Sequence, residues 1–192
     1  MSRNTLLFIM VLWLMLVLSQ QLGGHAWAFN RQALAQGHYS GLLTGHIVHL
    51  NNIHLLLNML GIGLVLALFD GVLSARWWLV LLPVSAVLIS IIIYYGLPQV
   101  NRYVGLSAVI HTAYVIGTVQ LSSQAKERRL ALVLAVLITL KLLTENDEQG
   151  ISLTADLIGG QVLFQAHVYG ALVGLFLGAV AVIAKQINSK LS

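Results

Sequence analysis

Apolar residues fall into six continuous runs separated by polar connections: Thr5 to Gln21, Ile53 to Phe69, Arg76 to Tyr95, Gly105 to Ser122, Arg129 to Leu143 and Val162 to Ala184. None of them alternates apolar with polar positions, as a lipid-facing barrel strand would, so each run predicts a helix. A bilayer crossing needs about 20 apolar residues, and the runs approach that length. The pattern predicts an all-α membrane protein: a bundle of six transmembrane helices forming one domain over residues 1–192.

Composition supports lipid as the solvent. Apolar residues make up 58% of the chain and charged residues 8%, a ratio no soluble core could absorb. With no cysteine, disulfides, thiolate nucleophiles and cysteine-ligated metals are excluded. The net charge of +4 reads as topology, because the basic residues are scattered among loops and form no nucleic-acid-binding face. With the N-terminus inside, Arg3, Arg76, Lys126, Arg128, Arg129, Lys185 and Lys190 fall on the inner side. Arg31, Arg102 and Lys141 fall outside, as do the acids Glu145, Asp147, Glu148 and Asp156 of the last outer connection. The positive-inside rule then places both termini in the cytoplasm.

Two connections stand out. Leu22 to Leu50 is long and carries Trp27, Phe29 and Tyr39, aromatic types that settle at the membrane interface. Within it, Ala26-Trp27-Ala28 imitates a signal-peptidase site, although the preceding apolar run is longer than a usual signal sequence. Pro98 suits a break before the fourth run.

Polar side chains inside spans are costly and mark candidate function. His54 and Asn58, four apart, share a face near the start of span two, where an Asn at 51 or 52 can cap the helix. Gly105-Leu106-Ser107 puts a serine in the first turn of span four, after a glycine that permits close approach and at a helix end that favours negative charge. In span six, His167 precedes Gly170, Gly174 and Gly178, a small-residue stripe suited to close helix contact. Taken singly, His54 and Asn58 also read as glue to a neighbouring helix, and Ser107 as a serine bonding back to its own backbone. Under the inside-N-terminus topology, however, all four polar residues fall at one depth, in the outer part of the bilayer.

Acyl transfer needs a nucleophile, a neutral base and donors for an oxyanion. Ser107 is the candidate nucleophile and His167 the candidate base. His54, Asn58 and the Ser107 backbone N–H are candidate oxyanion donors. The acids lie in loops rather than among the spans, so the expected catalytic unit is a Ser/His dyad.

His54-xxx-Asn58, Gly105-x-Ser107 and His167-xx-Gly170, in that order on spans two, four and six, resemble the rhomboid family of intramembrane serine proteases across Thr5 to Ala184. The resemblance implies Ser107 as nucleophile, His167 as base, His54 and Asn58 at the oxyanion site, and no cofactor. Leu43-Thr44-Gly45-His46 with Gly61, and Ala166-His167-Val168-Tyr169-Gly170-Ala171-Leu172, in a short chain, are similar to the rhombosortase branch. That branch implies a bacterial inner-membrane enzyme with its site toward the periplasm. Its substrates would be membrane-anchored exported proteins whose C-terminal transmembrane tails carry a Gly-Gly motif, and an amine-bearing lipid is a possible acyl acceptor. Three positions depart from many rhomboids. Ala108 follows the nucleophile where glycine is common, His111 stands where an aromatic packs on the base, and Ser40-Gly41 replaces a first-loop Trp-Arg pair.

Three other readings compete. His38, His46, His49 and His54 are metal-ligand types, but without helical ligand spacing or an HExxH motif. Two of His54, His111 and His167 could ligate haem in an electron-transfer subunit. A transporter or channel would use the polar residues as a path, and would then place them in the inner half as well.

Overall fold

A computed structural model describes residues 1–145 and 153–191. Asp147 and Glu148 of the acid-rich connection lie outside the described residues. The elements run α1 (Arg3–Leu22), β1 (Phe29–Asn30), α2 (Arg31–Ala35), α3 (Gly41–Thr44), α4 (Asn52–Leu68), α5 (Ala75–Gly96), β2 (Arg102–Tyr103), α6 (Ser107–Ser122), α7 (Arg128–Glu145), α8 (Leu153–Ile158) and α9 (Phe164–Leu191).

Each of the six apolar runs forms a long helix. Among the described residues, three are long and apolar enough to cross a membrane: Arg3–Leu22, Ala75–Gly96 and Phe164–Ile187. α4 is apolar but shorter. With 16 residues, α6 rises only about 24 Å. It is the central helix, packed by α4, α5, α7 and α9. Most of its surface therefore meets protein rather than lipid, and it can carry the buried polar residues His111, Thr112, Thr118 and Gln120.

α6 and α9 are the most intimately packed pair. A β-carbon on Gly170, Gly174 or Gly178 would meet, respectively, the Ala108 carbonyl oxygen at 2.1 Å, the Thr112 carbonyl oxygen at 2.8 Å and Val119 at 3.0 Å. Only glycine allows such backbone approach. Two polar side chains use the proximity: Thr112 Oγ1 donates to the Gly170 carbonyl at 2.7 Å and Gln120 Nε2 to the Gly178 carbonyl at 3.0 Å.

α1 is integrated into the bundle. Ile9, Leu12 and Leu16 are buried, Trp13 Nε1 donates to the Met59 carbonyl, and the Gln20 amide bonds both backbone groups of His49. Near its N-terminal end Asp70 accepts from Thr5 Oγ1 at 2.7 Å, and this bond leads the contacts that hold its carboxyl below the usual carboxylate range.

The first connection forms an ordered platform. β1 pairs antiparallel with β2, Phe29 opposite Tyr103, which is a small exception to the all-α expectation. Arg31 docks it: its guanidinium donates to the carbonyls of Ile93, Tyr94, Leu97 and Val100, capping the C-terminal end of α5. The last carbonyls of a helix lack partners and carry partial negative charge, which a planar cation with several donors satisfies. Below the platform, buried His46 donates through Nε2 to Ser90 Oγ at 3.0 Å, and Ser90 donates to the Leu42 carbonyl. These contacts hold the connection in place where Ser40-Gly41 stands instead of a Trp-Arg pair. Gly41 and Gly45 lie directly against the Ala28–Phe29 backbone.

Candidate active site

The loop before α6 is pinned by backbone bonds. Gly105 N–H donates to the Gly45 carbonyl, and the buried Tyr103 hydroxyl donates to the Gly105 carbonyl at 3.0 Å. Burial raises the Tyr103 pKa, so the phenol stays a donor. Gly105 has φ +114°, a conformation closed to other residues, and a β-carbon there would lie 2.7 Å from His54 Cε1. The His54 ring thus lies on Gly105, two residues before Ser107, the first residue of α6.

Ser107 and His167 meet across the α6–α9 contact, with Oγ and Nε2 2.8 Å apart. The other ring nitrogen, Nδ1, faces Glu145 Oε2 at 2.9 Å. A carboxylate only accepts, so Nδ1 carries the proton, Nε2 is the lone-pair nitrogen, and the Ser107 hydroxyl donates to it. The reading that no acid lies among the spans is corrected here. α7 continues past the apolar run ending at Leu143 and brings Glu145 to the imidazole, with Lys141 paired to its other oxygen. In sequence, the only hint is the Lys141/Glu145 spacing of a continuing helix; nothing links Glu145 to a histidine 22 positions on.

His111, one turn after Ser107, donates through Nδ1 to the Ser107 carbonyl at 2.8 Å. Its ring stacks on that of His167, with centroids 4.4 Å apart and planes 12° from parallel. It thus takes the place of the aromatic that its position suggested. Ala108 is fully buried against α9, so its methyl does not line the pocket.

Asn51 caps α4, its side-chain oxygen accepting from His54 N–H at 2.9 Å while its Nδ2 reaches the Ile158 carbonyl. Asn58 Nδ2 donates to the His54 carbonyl at 2.9 Å, and Asn58 Oδ1 is buried without a partner among the described residues. Ser107, His167, His54, Asn58, His111 and Glu145 all line one cavity of about 330 Å³, with Leu50, Ile158 and Val162 among its apolar lining.

The metal set suggested by the sequence does not converge among the described residues. His38 is exposed, His46 is engaged with Ser90, and His49 packs edge-on against His54 at 5.0 Å. His111, Glu145 and His167 do bring ligand atoms within 4.8 Å of one another. Two nearly parallel stacked rings, however, aim their in-plane lone pairs along separate planes rather than at one ion. The same stacking leaves no room for a haem between His111 and His167.

A half-buried hydroxyl bonded to an imidazole whose far nitrogen meets a carboxylate, lining a cavity, is an arrangement for activating an oxygen nucleophile. The family model described as Rhomboid domain matches residues 36–184. No curated protein matches the chain.

Proposed function

The chain belongs to the rhomboid family, whose members are generally intramembrane serine proteases acting on membrane proteins, and on that premise we propose that it cleaves membrane-anchored proteins with Ser107 as nucleophile and His167 as base. The observation that carries this reading is the 2.8 Å bond from Ser107 Oγ–H to His167 Nε2 in the lining of a cavity.

Ser107 Oγ attacks the scissile carbonyl carbon while its proton passes to His167 Nε2. The resulting oxyanion is held by the Ser107 N–H at the start of α6, with His54 and the free hydrogen of the Asn58 amide beside it. Collapse expels the amine, which takes the proton from His167 and leaves an ester on Ser107. Water then completes hydrolysis, or an amine-bearing lipid completes a transfer that anchors the product.

All six long helices cross the bilayer in this reading, with both termini cytoplasmic. α6 escapes the usual length requirement because protein surrounds it. The site then lies toward the outer face of a bacterial inner membrane. The rhombosortase-like features give the substrate class: exported proteins whose C-terminal tail combines a Gly-Gly motif, a hydrophobic helix and basic residues.

The test is expression of a reporter bearing such a tail with the wild-type chain, Ser107→Ala or His167→Ala, followed by mass spectrometry of the reporter's new C-terminus. A truncated C-terminus, free or amide-linked to a lipid amine, is expected with the wild type alone. Processing that survives both substitutions would overturn the assignment.

A further inference from the structure

We propose that Glu145 is a positioning residue that converts the Ser107/His167 pair into a triad; this rests on the serine-protease reading above. The inference comes from the end of α7. Its apolar run stops at Leu143, yet the helix continues through Thr144, whose hydroxyl bonds the Lys141 carbonyl, to Glu145. The Glu145 side chain is only 20% exposed. A carboxylate so far removed from water is costly unless its oxygens are paired, and both are: Oε1 with Lys141 Nζ, and Oε2 with His167 Nδ1 at 2.9 Å.

Two chemical consequences follow. The carboxylate fixes the tautomer with the proton on Nδ1, which is the one that leaves Nε2 free to accept from Ser107. It also sets the ring plane from its edge while His111 holds the face. When the Ser107 proton arrives at Nε2, the imidazolium lies between two negative groups, the Glu145 carboxylate and the oxyanion. Glu145 stays ionised throughout, and the proton leaves from Nε2 to the departing amine. Lys141 occupies the other carboxylate oxygen and so directs Oε2 at the ring.

The experiment measures the rate at which a fluorophosphonate probe labels purified full-length protein in detergent, which requires no knowledge of the substrate. In that reaction Ser107 Oγ forms the bond to phosphorus, fluoride leaves and His167 takes the proton. Labelling of the wild type that is absent in Ser107→Ala tests the protease reading by itself. Glu145→Gln is then expected to label about 10²- to 10⁴-fold more slowly than wild type. Its amide can donate to Nδ1 and trap the wrong tautomer, so this isosteric change is expected to be as damaging as Glu145→Ala.

Glu145→Asp is expected to recover part of the rate, and Lys141→Gln to cost less than about tenfold, because the carboxylate–imidazole bond survives it. A loss in the maximal labelling rate at unchanged half-saturating probe concentration marks positioning rather than pocket damage. A merely structural Glu145 predicts the reverse order, with Gln mild, Ala severe and Lys141→Gln as harmful as either. That order, or wild-type labelling in Glu145→Gln, overturns the triad while leaving the protease reading intact. A wild type that is not labelled overturns both.

Discussion

The carbonyl oxygen of Ala108 lies 2.1 Å from the point where a β-carbon on Gly170 would stand. This contact is one residue after Ser107 and three after His167, so the separation of α6 and α9 here sets the distance between nucleophile and base.

Gly170→Val is therefore expected to force the two helices apart. A cost of about 1–3 kcal/mol or more is typical of overpacking, and the added side chain faces rigid backbone rather than a movable side chain. The thermal transition in detergent should fall and fluorophosphonate labelling should be lost with it. A variant with wild-type stability and labelling would contradict this account of the contact.

His54→Ala and Asn58→Ala remove proposed oxyanion donors without touching the Ser107–His167 bond. Each is expected to lower kcat by about 10²- to 10³-fold with little change in KM, the signature of an interaction made only in the transition state. The measurement is steady-state cleavage of a tailed reporter. A rise in KM at constant kcat would reassign these side chains to substrate binding.

Arg31→Gln deletes the cation that satisfies four carbonyls at the end of α5. Those groups are then left with poorer partners, and a loss of about 2–4 kcal/mol is expected in urea-induced unfolding, with Arg31→Lys intermediate because one ammonium cannot span the set. If both variants unfold at the wild-type denaturant concentration, the platform is held elsewhere.

His46 gives a pH dependence whose sign follows from burial. Its pKa is lowered from 6.5 to about 4, chiefly by desolvation in the connection below the platform. Below pH 6.5 the unfolded chain takes up a proton that the folded chain refuses. Stability is therefore full above 6.5 and falls as pH drops toward about 4, on the order of 1 kcal/mol per pH unit from this group. His46→Gln does not titrate and retains a donor for Ser90. Melting curves between pH 7 and 5 should be flatter for the variant than for the wild type, and equal slopes would exclude His46 as a source.

The sequence by itself determined that the chain is helical and membrane-embedded, because lipid imposes continuous apolar runs that leave a one-dimensional trace. It also singled out Ser107, His167, His54 and Asn58 as a candidate set, since polar residues in such runs are few and their order along the chain is readable. Gly105 and Gly170 were legible as places of close approach, though not what approaches them: the His54 ring in one case and the Ala108 carbonyl in the other. Only the tertiary structure decided that Arg31 caps a helix more than 60 residues away, that His111 stacks on His167, and that Glu145 reaches the imidazole. Each of these is a contact between different elements, fixed by how the elements pack rather than by any local preference. An acid at the end of an apolar run looks the same in sequence whether it faces water or a histidine; the packing of α7 against α6 and α9 makes the difference.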